Sequence, residues 1–103
     1  MIHTIRLRGG WISTSDGCRV IHARNFGRPR TLDANERVWL VCENVAGPSE
    51  IRVNGERVGR TSEVEPFAAD ITDHLQPRNR VELTIGSNEV LGEVALEIRS
   101  SFG

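Results

Sequence analysis

Residues 37–73 read RVWLVCENVAGPSEIRVNGERVGRTSEVEPFAADITD, and the reading of this stretch decides the fold. Asn54-Gly55 stands between two segments rich in β-branched residues. Asn-Gly is the favoured pair for a two-residue type I′ turn, because both central positions need positive φ. Such a turn predicts Val53 opposite Glu56, Arg52 opposite Arg57 and Ile51 opposite Val58. Side chains alternate along a strand, so Ile51, Val53 and Val58 are expected on one apolar face and Arg52 and Arg57 on the other. Two directly opposed arginines repel, so that second face should be solvated. Upstream, Val38, Leu40 and Cys42 alternate toward one side of a strand that begins near Arg37. Downstream, Asp70 to Leu75 reads as a strand end passing into one helical turn, with Thr72 or Asp73 as the cap.

The remainder is consistent with this core. Ile2 to Leu7 forms a first strand with imperfect alternation, and Gly9-Gly10 interrupts it before Trp11-Ile12. Ser13-Thr14-Ser15-Asp16-Gly17 reads as a turn by composition, with Asp-Gly at the reversal. Cys18 to Phe26 reads as a second strand. A loop from Gly27 to Asn35 follows, in which Pro29 forbids a central ladder. Val81, Leu83 and Ile85 alternate with Glu82 and Thr84, and Val94, Leu96 and Ile98 alternate with Ala95, Glu97 and Arg99. Turns are expected at 46–49, 60–65, 76–79 and 86–88. The count is about eight strands with no amphipathic helix, which predicts an all-β, antiparallel sandwich. The expected core includes Ile51, Val53, Val81, Leu83, Val94 and Leu96.

Composition bounds the function. A chain of 103 residues supports one domain, residues 1–103, and leaves no room for a second, catalytic one. It is 38% hydrophobic and 26% charged with a formal net charge of −1, so disorder is not expected and no basic excess recruits nucleic acid. Met1 to Arg6 holds no long apolar run, so neither a signal peptide nor a membrane span is expected, and the leaning is cytoplasmic. Cys18 and Cys42 are then expected as reduced, buried thiols, with a disulfide open only if their strands are neighbours.

The motifs also carry a resemblance. R-V-x-L-x-x-E-x-V from Arg37 to Val45, then x-V-x-x-N-G-x-x-V-G from Ile51 to Gly59, then P-F-x-x-D-I-T-D-x-L from Pro66 to Leu75 follow one another. After them come Asn79 to Ile85 and a closing G-x-V-x-L from Gly92 to Leu96. This order and spacing resembles the N-terminal sugar-binding, jelly-roll domain of glycoside hydrolase family 2, the β-galactosidase and β-glucuronidase group, over roughly the last two thirds of the chain. The resemblance implies a galactose-binding-domain-like jelly roll, with Leu40 and Cys42 pointing inward and Phe67 plugging the core. It also implies that Asp70 and Asp73 are structural. The family's catalytic carboxylates belong to a separate barrel domain, so no catalytic residue carries over and the chain is not expected to be an enzyme.

Site chemistry narrows further. His3, His22 and His74 with Cys18 and Cys42 lack zinc-ligand spacing, so no metal or other cofactor is expected. No G-x-S-x-G is present, and a glycosidase needs two carboxylates held across one glycosidic bond. His22 reads as an exposed or satisfied strand histidine. Carbohydrate binding, if present, would use Trp11 and Trp39 as aromatic platforms with Arg28 and Arg30, while Phe26, Phe67 and Phe102 read as packing residues. Arg24, Arg28 and Arg30 form a basic cluster, read as a solvated rim ahead of an anion or sugar-acid site. The alternative to sugar binding is a structural or protein-interaction module with no small-molecule ligand. Trp39 and Val41 make the second parity of their strand apolar, which predicts a covered second face. The N-terminal segment with Trp11, a second subunit or partner protein, or a stacked ligand could each supply the cover.

Overall fold

Alternation between apolar and polar residues becomes nine strands in the computed structural model, which describes residues 2–15, 17–29, 32–44, 49–61, 67–86 and 92–100. They are β1 (Ile2–Arg6), β2 (Ile12–Ser15), β3 (Arg19–Gly27), β4 (Glu36–Glu43), β5 (Glu50–Val53), β6 (Glu56–Arg60), β7 (Phe67–Asp70), β8 (Arg78–Gly86) and β9 (Glu93–Ser100). A single 3-10 turn, Thr72–His74, joins β7 to β8. The strands form two antiparallel sheets, one in the order β1-β9-β4-β7 and the other β2-β3-β8-β5-β6. The chain is thus an all-β sandwich whose connections repeatedly cross between the layers. Among the described residues no helix is long and apolar enough to cross a membrane.

The core lies between the sheets and is made by one parity of each strand. Val38, Leu40 and Cys42 of β4, with Val94, Leu96 and Ile98 of β9, face Ile51 and Val53 of β5 and Val81, Leu83 and Ile85 of β8. All of these are 4% exposed or less. Each large side chain so buried contributes roughly 1.5–3 kcal/mol. Of the expected core residues, Phe67 is the exception: it is half-buried and packs on the core from its margin. Leu7, Phe26 and Ile71 complete the cluster.

The hairpin forms as its sequence requires, with Asn54 at φ 53° and Gly55 at φ 84°. Val53 pairs with Glu56 and Arg52 with Arg57, but the expected pairing of Ile51 with Val58 is replaced by Ile51 with Gly59. A bulge leaves Val58 as the extra residue. Gly59 then lies against the aromatic ring of Phe67: a Cβ on residue 59 would meet that ring at 2.8 Å.

Three other expectations need correction. Ser13, Thr14 and Ser15 are not turn but strand, because pairing of Ile12 with Ala23 through Ser15 with Val20 supplies their backbone partners. That makes β2 the ninth strand. Cys18 is exposed ahead of β3 while Cys42 is buried in the core, and each remains a thiol. The 3-10 turn is capped neither by Thr72 nor by Asp73; Ile71 occupies the N-cap position and makes no side-chain cap bond. The turns expected at 46–48, 62–65 and 87–88, the reversal at Asp16 and the packing of Phe102 lie outside the described residues.

Candidate functional site

The polar motif residues Arg37, Asn54, Asp70, Thr72, Asp73 and Asn79 build a polar seam. Arg37 on β4 donates through Nε to Asp70 Oδ2 at 2.8 Å and through Nη2 to Asp73 Oδ2 at 3.2 Å. Asp70 Oδ1 accepts from the Thr72 amide at 3.0 Å and from its hydroxyl at 2.7 Å. Thr72 Oγ1 in turn accepts from the Val38 amide at 2.7 Å. The Arg37 guanidinium is held above its ordinary value by the bonds to Asp70 and Asp73. Partial burial pushes the Asp70 carboxyl upward, but the bonds from Arg37 and Thr72 outweigh it and hold that carboxyl below the usual range. The second half of the seam starts at the hairpin. Asn54 Nδ2 donates to His74 O at 2.8 Å and to Asn79 Oδ1 at 2.9 Å, and Asn54 Oδ1 accepts from the Arg80 amide at 2.9 Å. Asn79 is 3% exposed and also bonds both backbone groups of Gln76. The turn therefore clamps the start of β8.

A cleft of about 450 Å3 opens on the outward face of the four-stranded sheet. Val41 and Ala95, cross-strand partners, lie among its lining residues, as does Trp11. The charged members of the lining are Arg6, Arg8, Glu43, Glu93 and Glu97. Trp11 is set in place from the sequence upward: Gly9-Gly10, with Gly10 at φ 81°, bends the chain after β1, and the indole Nε1 donates to Leu7 O at 2.8 Å. Gly92 belongs to the same lining, and a Cβ there would collide with the backbone of Glu43 and Asn44.

The sequence-chosen residues do not converge. Trp11 lines the cleft, while Trp39, on the same outward face, does not. Its indole is covered by Arg99, whose guanidinium carbon lies 4.6 Å from the ring centroid. A neighbouring side chain of the same sheet thus supplies a cover that the sequence did not suggest. Arg28 is exposed beyond β3, where its amide bonds Pro77 O at 3.1 Å, and Arg30 lies outside the described residues. Arg24 is not part of a loop cluster: it sits on β3 and donates to Gly9 O and, at 3.1 Å, to Asn25 O. His22 is buried, not exposed, and only half satisfied. Its Nδ1 bonds Ser13 Oγ at 2.7 Å, whereas Nε2 has no partner among the described residues. No three His, Cys, Asp or Glu side chains among the described residues could hold a metal ion. Sequence reasoning missed Arg6, Arg8, Glu43, Glu93 and Glu97, since only the β1-β9-β4 order brings them to one cleft.

No protein-family model matches the sequence, and no curated protein matches it. Solved structures share the fold. An FMN-binding beta-glucuronidase from Facaelibacterium prausnitzii L2-6 superposes with a TM-score of 0.81 at 18% identity, covering 97% of this chain and 23% of that one. A beta-D-glucuronidase of Dictyoglomus thermophilum gives 0.79 at 14% identity, covering 97% and 28%. A beta-glycosidase from Bacteroides vulgatus gives 0.66 at 22% identity, covering 82% and 12%. The chain therefore has the fold of a small part of larger glycosidase chains, spanning 12–28% of their length.

Proposed function

We propose that this chain is a non-catalytic β-sandwich module of the kind found within glycoside hydrolases, and that it binds carbohydrate at the Trp11–Val41 cleft. The observation that supports this reading is the lining of the cleft: one indole and an apolar Val41–Ala95 pair, with arginines and carboxylates of both signs around them. An apolar surface with a few convergent polar groups is the general make-up of a small-ligand site. The indole offers a face to the C–H side of a pyranose, and the charged groups offer donors and acceptors to its hydroxyls. The superpositions cover at most 28% of each glycosidase, so the activity of those proteins is not carried over to this chain.

A glycan array, run beside chromogenic glycosides, tests both parts. Binding should appear on the array and fall in Trp11→Ala, and no glycoside should turn over. Turnover that tracks the purified protein would end the non-catalytic reading. Silence on the array would favour a second reading, a structural or protein-interaction module. That reading is supported by the seam, where Arg37, Asn54, Asp70, Thr72 and Asn79 all bond within the chain. Its partner, a second copy or another protein, would seat on the Trp39/Val41 face, and sedimentation of the parent against Trp39→Ser reads this out.

A further inference from the structure

A second depression, of about 520 Å3, opens beside the hairpin on the five-stranded sheet. Asn25, Gly27, Arg78 and Arg80 line it together with Phe26, Asn54 and Asn79. Register explains which positions face it. Asn79 and Val81 are buried on the inward parity of β8, so Arg78 and Arg80 take the outward one. Across the ladder Gly27 pairs with Arg78 and Asn25 with Arg80. All four are exposed. Directly opposed residues lie about 5 Å apart, and alternate residues of one strand about 7 Å. The four positions thus frame a patch the size of one small polar group.

One corner of the patch is open, and donors surround it. A Cβ on Gly27 would meet nothing within 4 Å, so the place across from Arg78 is empty of side chains. The Arg78 guanidinium and the Asn25 side-chain amide have no partner among the described residues. Arg80 Nε lies 3.9 Å from Glu82 Oε2, beyond hydrogen-bond length. Asn54 fixes the backbone that carries both arginines, because its side chain bonds His74 O, Asn79 Oδ1 and the Arg80 amide. Ser15, Thr61 and Gly86 precede the acidic residues that lie outside the described ones, and they belong to the other end of this sheet. Ser15 pairs with Val20, Gly86 pairs with Arg19, and Thr61 follows Arg60, the partner of Glu50. From Arg80 to Gly86 is about 20 Å of strand. Guanidinium groups present forked donors that match oxyanions, and an asparagine amide adds two more N–H groups. A carboxylate offers two oxygens to such a set, whereas the terminal group of a phosphate monoester offers three.

We propose that this depression binds the three-oxygen terminal group of a phosphate or sulfate monoester. The group seats over Gly27, with Arg78, Arg80 and Asn25 donating to its oxygens. The site shares no lining residue with the Trp11 cleft, and the inference stands whether or not that cleft binds sugar.

Side-chain NMR of the arginine Nε–H and asparagine amide groups tests it, with phenyl phosphate, phenyl sulfate, benzoate and benzyl alcohol as probes. Both esters should give saturable shifts at Arg78, Arg80 and Asn25, and the tighter of the two identifies the ester class. Benzoate, with two oxygens, should bind about threefold more weakly than that ester, and benzyl alcohol should shift none of the three. Arg78→Gln should weaken ester binding about tenfold, the equivalent of 1.4 kcal/mol. Gly27→Asp sets a carboxylate in the open corner and should abolish it. Arg80→Gln is the second arginine variant should Arg78→Gln fail to melt like the parent. Absence of ester binding, or shifts that leave Arg78 and Asn25 unmoved, would overturn the proposal. So would equal binding of benzoate or benzyl alcohol, or full ester affinity in a folded arginine variant.

Discussion

The two outward faces of this sandwich are made by the same alternation over the same core, and they differ in how charge is distributed. On the four-stranded sheet, Arg6, Arg37 and Arg99 stand among Glu43, Glu93, Glu97 and Asp70. Each of these arginines has its own carboxylate: Arg37 bonds Asp70, Arg99 bonds Glu97 at 2.8 Å, and Arg6 reaches to within 4.0 Å of Glu93. On the five-stranded sheet Arg52 and Arg57 share one carboxylate, Glu50, while Arg80 lies 3.9 Å from Glu82. The lesson is that strand order sets surface charge. Arg52 and Arg57 meet through the hairpin, and Arg57 with Arg60 and Arg78 with Arg80 share a strand, but only the order β3-β8-β5-β6 brings these groups together with Arg19.

The comparison can be broken at several depths. Leu40→Ala and Leu83→Ala remove fully buried side chains from the two sheets, and each should cost about 2–5 kcal/mol in chemical denaturation. If one cost far more, the faces would not share a single core. Next comes the hairpin that edges the arginine face. Gly55→Val places a β-branched residue at φ 84° and should cost about 1–3 kcal/mol by the same measurement. A parent-like midpoint would contradict the turn. Asp70→Asn weakens the seam on the other sheet and should cost about 1–2 kcal/mol at neutral pH. Its pH dependence has a definite sign. Asp70 titrates lower when folded, so its stabilisation is present above the ordinary carboxylate pKa of about 3.9 and is lost as pH falls through the depressed folded value. The variant should lose less stability than the parent over that acid window. Arg99→Ala uncovers Trp39 and should cost about 0.5–1 kcal/mol, with a red shift in tryptophan emission. Smallest of all, Arg57→Gln and Arg60→Gln, both exposed, should stay within about 0.5 kcal/mol of the parent. A larger loss would mean that these arginines hold the fold together and are not merely displayed on it.

What the sequence makes legible is local. Val81-Leu83-Ile85 declare their inward parity because alternation with Glu82 and Thr84 has one physical meaning, whereas Val38-Leu40-Cys42 lie in a run apolar at both parities and take theirs from the resemblance; Asn54-Gly55 declares its turn because few pairs tolerate positive φ. What it hides is pairing. Ser13-Thr14-Ser15 reads as part of a turn by composition and becomes strand because β3 offers it a ladder. The bulge that sets Gly59 opposite Ile51, against the ring of Phe67, is something a hairpin rule cannot see. Of the residues chosen for sugar contact, Trp11 lines the cleft, but its companions there come from β1, β4 and β9. Trp39 sits under Arg99, two residues beyond its register partner Glu97 and so diagonal across the sheet, a relation no spacing along the chain records.

The order of strands also has a consequence in time. Both pairings between strands adjacent along the chain, β2 with β3 and β5 with β6, belong to the five-stranded sheet. In the four-stranded sheet the closest pairing along the chain joins β4 to β7, and β1 must find β9 near the other end. Closing longer loops costs more entropy before any contact compensates it, and sandwiches of this kind fold in milliseconds to seconds. The expected sequence of events is a nucleus around the Asn54-Gly55 hairpin, with the Trp39 face assembled last. Pulse-labelled hydrogen exchange during refolding would show β5 and β6 protected ahead of β1; the reverse order would contradict it. In a cell, the face that waits longest is the one carrying Trp39 and Val41, so that sheet is where a nascent copy is most exposed to misassociation.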